Sequence, residues 1–195
     1  MLIINAHSLK KNTLEIIGQK VLLRPPQYND WNSWAKVREK NKLYLQPWEP
    51  KWSPGELERS SFVKRVRMFD KFIQNDQAYS FLIFKNDSLE FIGEVNISNV
   101  QRGIIQSCSI GYWIAKNCEG CGMMSESLQL IKDFIFNELK LNRIEAACLP
   151  HNKASLKVLL KNGFKEEGVA RKLLKINDKW QDHKLLSFII DDLRS

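Results

Sequence analysis

A glycine-containing loop between a strand-like run and a helix-like segment constrains the fold of this chain most. Residues 110–115 form an apolar run, a loop with Gly120 and Gly122 follows, and apolar residues recur at helical spacing from Ser125 onwards. Glycines let a backbone approach a ligand closely, and the free amides and dipole of a helix N-terminus attract anions. The sequence therefore predicts a phosphate-binding loop at the end of a strand.

This loop differs from the two common nucleotide-binding motifs. Met123 and Met124 follow Gly122, so neither the G-x-G-x-x-G pattern nor a P-loop ending in G-K-[S/T] is present. The loop thus disfavours NTP hydrolysis and dinucleotide binding, and other phosphate-bearing cofactors remain open.

The order of apolar patterns predicts an α/β fold. Short polar connections between successive strands favour antiparallel pairing. The helix after the loop is predicted to be a crossover connection between two strands. The class is a mixed, mostly antiparallel sheet of about seven strands with helices on both faces. The strands are predicted at 21–24, 78–85, 91–98, 108–115, 143–149, 169–176 and 184–190, and the helices at 29–42, 56–73, 125–139 and 152–163.

Composition sets the broad limits. The 195 residues suit one domain, with residues 1–20 as an N-terminal extension of a domain that spans residues 21–193. No apolar run approaches the roughly 18 residues that span a bilayer, and the apolar start is four residues long, so we expect a cytoplasmic protein without membrane contact. The net charge of +8 suits a nucleotide cofactor, a ribosome surface or a merely solvated face.

The four cysteines favour reduced thiols over a metal site. Cys118 and Cys121 form a C-x-x-C pair, but Cys108 and Cys148 stand alone and no suitably spaced histidines accompany them. We therefore expect no metal.

A second motif follows the loop at a distance that makes the two informative together. Asn152-Lys153-Ala154-Ser155 begins a helix that closes in Gly163-Phe164. With the loop, this order resembles the GNAT family of N-acetyltransferases, whose loop reads Q/R-x-x-G-x-G/A and whose later helix reads N-x-x-[A/S] before G-F; Asn117 stands where glutamine or arginine is usual. The strings at 22–25, 46–50, 110–113, 143–152 and 180–183 resemble the ribosomal-protein-alanine N-acetyltransferase branch.

The resemblance implies a V-shaped cleft in the sheet that binds acetyl-CoA. Its pantetheine arm would lie along residues 112–115, and direct attack of an amine on the thioester would transfer the acetyl group. The residues expected to contact the coenzyme are Tyr112, Trp113, Ile114, Ala115, Asn117, Gly120, Cys121, Gly122, Met123, Met124, Ser125, Asn152 and Ser155.

The same resemblance leaves the catalytic groups incomplete. Leu159 occupies the position, four residues before the glycine of G-F, where the family has a tyrosine. Ser109 occupies the position, on the strand before the loop, where the family has a glutamate. Ser155 is therefore the candidate acid or thiol contact. The base is unassigned, with Glu94 or Glu145 as candidates acting through water.

The missing carboxylates favour a protein N-terminus as acceptor, because an α-amine has a pKa of about 8 and a lysine side chain about 10.4. A ribosomal protein fits the resemblance, with Trp48 and Glu49 as substrate contacts. Two alternatives stay open: a small amine such as a polyamine or aminoglycoside, and a non-catalytic, ribosome-associated acyl-CoA-binding module. We expect no direct reading of nucleic acid, and the sequence does not decide between monomer and dimer.

Overall fold

A mixed sheet forms the centre of the protein, seen in a computed structural model that describes residues 14–194. Within that range the sheet has eight strands in the order β1-β2-β3-β4-β5-β6-β8-β7. Their bounds are β1 Ile16–Ile17, β2 Val21–Arg24, β3 Tyr79–Lys85, β4 Phe91–Gln101, β5 Ser107–Ile114, β6 Arg143–Cys148, β7 Lys165–Ile176 and β8 Lys179–Ile189. The strand beyond the predicted seven is β1, whose two residues are too few to show a period of two.

The sheet has a gap between two neighbouring strands, β5 and β6. Among the described strands β5 and β6 alone pair in parallel, and their register ends at Ile110 opposite Ala146. Beyond this point β5 continues to Ile114 beside β4, whereas β6 continues to Cys148 beside β8. The two strands therefore separate into a V-shaped gap, as the sequence predicted from its resemblance.

Helices cover both faces of the sheet. They are α1 Trp31–Lys40, α2 Lys42–Leu45, α3 Arg59–Gln74, α4 Met123–Asn137 and α5 Lys153–Lys161. On one face Trp34 of α1 and Phe62 of α3 pack against β3 and β4, while on the other Leu128 and Phe134 of α4 join the larger core. Helix α3 begins three residues later than predicted, because 54–57 form a turn around Gly55 with φ of 75°.

Helix α5 has the ends that the sequence predicted. The Asn152 side chain accepts a hydrogen bond of 3.0 Å from the backbone N–H of Ser155 and so caps the first turn. At the other end Gly163 has φ of 84°, and the N–H of Phe164 bonds to the Leu159 carbonyl at 3.1 Å. These contacts fix the position of Ser155 beside the gap.

All four cysteines are free thiols, as predicted. No helix within residues 14–194 combines the length and the apolar character that a membrane span requires. The predicted extension, residues 1–20, lies partly outside the described residues, and its described part contributes β1, which pairs with β2.

Candidate active site

The glycine loop has the shape that a phosphate group needs. Gly120 and Gly122 have φ of 76° and 80°, a region that L side chains rarely adopt. Gly122 is the residue before α4, and no described side chain caps that helix. The first amides of α4 therefore remain available to an anion, with the helix dipole favouring negative charge.

A lysine from far along the chain lies across this loop. The Lys20 ammonium donates to the Cys121 carbonyl at 3.2 Å, and a Cβ on Gly122 would lie 3.4 Å from its Nζ. The Lys20 backbone N–H is held by the Glu126 carboxylate at 2.9 Å. The sequence missed Lys20, because 101 residues separate it from Cys121 and no local pattern marks it.

The start of the loop is held by a buried asparagine, which the sequence also missed. The Asn41 side-chain oxygen accepts a hydrogen bond of 2.9 Å from the backbone N–H of Lys116. The predicted loop residue Asn117 is exposed, and its amide oxygen has only a weak contact of 3.8 Å with the Cys118 thiol. Its side chain does not hold the loop in place, so the change from glutamine or arginine leaves the backbone cradle intact.

Two hydroxyl groups meet across the gap. The Tyr112 hydroxyl of β5 lies 3.0 Å from Ser155 Oγ and 3.2 Å from the Ser155 carbonyl of α5. Burial raises the pKa of the Tyr112 phenol well above its usual range, and the hydrogen bond to Ser155 lowers it only in part. The phenol therefore keeps its proton at neutral pH, and the pair holds a proton beside the expected position of the thioester.

Two connected cavities lie on the face of the sheet opposite to the Tyr112–Ser155 pair. The inner cavity, of about 260 Å³, is lined by Trp34, Arg38, Glu49, Pro50, Lys51, Trp52, Glu56, Arg65, Glu94, Asn96 and Trp113. The outer cavity, of about 740 Å³, shares Lys51, Trp52 and Glu56 with it and extends along residues 53–58. Together they form a route from the surface to strands β4 and β5.

The candidate base Glu94 lines the inner cavity but is fully engaged. Its buried carboxylate pairs with Arg65, accepts a hydrogen bond from Ser80 Oγ at 2.9 Å and lies 3.4 Å from Trp113 Nε1. Burial alone would raise its pKa, but Arg65, Ser80 and the charge of Arg38 lower the pKa overall. The carboxylate stays ionised at neutral pH and is a weak base.

The residues of this site lie within a known protein domain. Residues 20–165 match the family model described as an acetyltransferase (GNAT) domain. The chain belongs to the GNAT acetyltransferases. Since the match covers the glycine loop, both faces of the gap and α5, the site described above lies within the family's domain.

Several relatives of this GNAT acetyltransferase are similar over most of their length. It is 33% identical over 175 residues to the probable N-acetyltransferase YjcK of Bacillus subtilis, covering 90% of this chain and 97% of that protein. It is 34% identical over 166 residues to the ribosomal protein uS5-alanine N-acetyltransferase of Escherichia coli, covering 84% and 86%. Mycobacterium smegmatis RimJ in complex with CoA-disulfide matches with a TM-score of 0.85 at 30% identity, covering 90% and 84%.

As a GNAT acetyltransferase the protein takes its acetyl group from acetyl-CoA, and solved neighbours hold CoA. The residues present fit this coenzyme: the loop offers uncapped amides and Lys20 to the phosphates, and the edge of β5 beyond Ile110 has no strand partner on the side of β6. Across the described part of the chain, no group of three or more His, Cys, Asp or Glu residues could hold a metal ion.

The remaining predicted residues lie further from the gap. Glu49 lines the inner cavity, where its carboxylate accepts from Arg38 at 3.0 Å and from Trp52 Nε1 at 3.0 Å. Trp48 packs on His151 with ring centroids 5.5 Å apart and is not among the residues that line the two cavities. Glu145, the other candidate base, lies beside Arg143 at 3.0 Å and is exposed.

Proposed function

We propose that this acetyltransferase modifies the N-terminal α-amine of a protein, with a ribosomal protein as the acceptor. The observation that carries the proposal is the open route of two cavities that leads from the surface to β4 and β5 at the point where the sheet separates. The relatives named for ribosomal proteins support the same acceptor class. A ribosomal acceptor would place the reaction in the cytoplasm.

The dimensions of the route suit the end of a chain better than a small amine. The inner cavity of about 260 Å³ suits a single terminal residue, and the outer cavity of about 740 Å³ suits the residues that follow it. Tryptophan rings of Trp31 and Trp52 line the outer cavity, and aromatic walls bind peptides with little loss of side-chain entropy. The lining there is not purely acidic, since Lys42 and Lys51 stand among Glu39, Glu56 and Glu58.

The chemistry of the site also favours an α-amine. Glu94 is a weak base because its pKa is lowered, and Glu49 is occupied by Arg38. An α-amine with a pKa of about 8 is partly neutral at neutral pH, whereas a lysine side chain with a pKa of about 10.4 is almost fully protonated. Only the α-amine can react at a useful rate without a strong base.

The proposed reaction is a direct transfer. The neutral amine attacks the thioester carbonyl carbon, the carbon–sulfur bond breaks, and the CoA sulfur leaves with the electron pair. Ser155 Oγ–H donates a proton to that sulfur, the Tyr112 hydroxyl, 3.0 Å away, returns a proton to Ser155, and solvent returns one to Tyr112 once the thiol has left, so the hydroxyl pair ends as it began. The nitrogen releases its extra proton to water in the inner cavity.

A pair of peptides tests the proposal. One has a free N-terminal alanine and no lysine; the other has a blocked N-terminus and one lysine. With acetyl-CoA present, we expect acetylation of the first peptide alone, measured by product mass and by release of free thiol. Ribosomal N-terminal sequences should rank first in a wider peptide library.

Three outcomes would contradict the proposal. Faster acetylation of the blocked peptide would indicate a lysine acceptor. Faster turnover of a polyamine or an aminoglycoside than of any peptide would indicate a small-amine enzyme. Tight binding of CoA without thiol release on any amine would indicate a non-catalytic module.

A further inference from the structure

The inner cavity contains a polar side chain that the reaction above leaves unused. Asn96 of β4 lines the cavity and is half-buried. Its Oδ1 is shielded from solvent and has no hydrogen-bond partner among the described residues. Polar atoms buried in native proteins are nearly always paired, so an Oδ1 without a partner leaves the carboxamide free to rotate and to turn its oxygen toward a ligand in the cavity.

Strand register places Asn96 at the centre of the site. It pairs with Gly111 of β5, which directly follows Ile110, the last β5 residue paired with β6. Nothing lies within 4 Å of the position that a Cβ on Gly111 would take, so the space beside Asn96 is open. The next residue along β5, Tyr112, points to the opposite face and contacts Ser155. Asn96 thus faces the cavity where the sheet opens toward the hydroxyl pair.

The charges around Asn96 cancel. Three cations and three anions line the inner cavity: Arg38, Lys51, Arg65, Glu49, Glu56 and Glu94. Glu49 and Glu94 are bound by arginines, and Lys51 contacts Asp178 at 2.9 Å. The third carboxylate, Glu56, also lines the outer cavity and accepts a hydrogen bond of 2.7 Å from Ser53 Oγ, so the two carboxylates at the inner end are the ones held by arginines. The Asn96 amide oxygen is an uncharged acceptor, which can bind an amine without favouring its protonated form.

We propose that Asn96 is a positioning residue whose amide oxygen accepts a hydrogen bond from the acceptor amine and directs the nitrogen lone pair toward the thioester carbon. The inference rests on the proposed function and deepens it. Rotation of the amide group about its last side-chain bond exchanges Oδ1 with Nδ2 and turns the shielded oxygen into the cavity, and Oδ1 has no hydrogen bond among the described residues to oppose that rotation. The amine then arrives neutral and oriented, which accounts for turnover without a strong base.

Three variants test the role of Asn96. Asn96→Ala removes the acceptor, Asn96→Asp replaces it with a carboxylate of the same shape, and Ser98→Ala is the matched control, since Ser98 is two residues further along β4 and lines neither cavity. We expect Asn96→Ala to lower kcat/KM for the free-N-terminus peptide by about 10- to 100-fold, with the Kd of acetyl-CoA unchanged. Ser98→Ala should match the wild type.

The pH profile separates positioning from a structural effect. In Asn96→Asp the carboxylate stabilises the ammonium form of the bound amine, so the rise of kcat with pH should move upward by about one pH unit. A structural defect would lower the rate at every pH without moving the profile. Rates equal to those of Ser98→Ala, or an unmoved profile in Asn96→Asp, would overturn the inference.

Failure of the inference differs from failure of the proposed function. If the wild type acetylates N-terminal peptides while the Asn96 variants match the control, the Asn96 assignment alone is wrong. If the wild type acetylates another primary amine instead, the N-terminal acceptor is wrong, and the same variants measured on that amine still decide the role of Asn96.

Discussion

Tyr112 and Ser155, the candidate proton donors, stand at positions other than that of the family's tyrosine. The family position for a tyrosine acid is filled by Leu159, whose side chain is buried in the core. A phenol nevertheless reaches the gap, because Tyr112 extends from β5 and meets Ser155 from the opposite side. In the proposed reaction the proton source is therefore a pair of hydroxyls on two elements and not a single side chain.

Removing either hydroxyl should slow the chemical step. We expect Ser155→Ala to lower kcat by about 100-fold, since positioned proton donors contribute about 10²–10⁴-fold. Tyr112→Phe should lower kcat less, and the double variant should be no slower than Ser155→Ala, because the two groups act in series. Steady-state rates with the free-N-terminus peptide, together with acetyl-CoA Kd values, check this. Additive losses would indicate two independent roles.

Glu94 links a buried charge to stability. Its lowered pKa means that the pair with Arg65 stabilises the fold above the unfolded pKa of about 4.3, and that this contribution is lost as pH falls through the lower folded pKa. We expect Glu94→Gln to cost about 2 kcal/mol at pH 7, less than for a fully buried pair because the Arg65 side chain keeps 29% exposure. Urea unfolding measures it. The difference from wild type should narrow below about pH 4, and a difference independent of pH would contradict the ionic origin.

At the scale of elements, the junction of the glycine loop with α4 sets both the left-handed backbone before the helix and the helix amides that a ligand can reach. Gly122 takes the left-handed conformation immediately before the helix, so α4 begins at Met123, two residues earlier than its apolar spacing indicates. That start brings the amides of Met123, Met124 and Ser125 to the loop. Lys20, from the turn between β1 and β2, adds a positive charge beside them.

A pair of glycine substitutions separates strain from binding. Gly122→Ala and Gly103→Ala both place a side chain at positive φ, 80° and 69°, and each should cost about 1–2 kcal/mol of stability. Only Gly122 borders the coenzyme loop, so only Gly122→Ala should also raise the Kd of acetyl-CoA, by about tenfold. Thermal unfolding and calorimetric titration check the two effects. Equal coenzyme affinity in the two variants would show that the loop does not hold the phosphates.

At the scale of the whole molecule, the separation of β5 from β6 leaves a gap between the two halves of the sheet that the coenzyme would fill. Beyond Ile110 and Ala146 the halves are joined across the gap by side chains such as Tyr112 and Ser155, and no longer by strand pairing. A ligand that fills the gap adds contacts to both halves and binds only the folded state.

Acetyl-CoA should therefore raise the melting temperature. At about 100 times its Kd, a ligand adds about 2.7 kcal/mol, which corresponds to roughly 5–10 °C for a domain of this size. Pantetheine lacks the diphosphate and should give a smaller shift at the same concentration, as measured by thermal unfolding. An equal shift with pantetheine would show that the glycine loop contributes nothing to binding.

The sequence by itself determined the class of fold and predicted the glycine loop as the place for the coenzyme, because both depend on local patterns. Strand and helix periods, the Asn152 cap, the Gly163-Phe164 helix end and the glycines at 120 and 122 all express conformational preferences of neighbouring residues. The family resemblance added the gap, which the register of β5 and β6 confirmed. Element ends were less accurate, as at the start of α3.

Only the tertiary structure decided which distant side chains meet. Lys20 at the loop, Tyr112 on Ser155, Arg65 on Glu94 and the open space beside Asn96 join residues far apart in the chain, and their proximity follows from strand order and register, which no local pattern encodes. The pKa of Glu94 depends likewise on charges brought by other elements. Local preferences thus predict where a phosphate can bind, whereas long-range packing sets which protons can move.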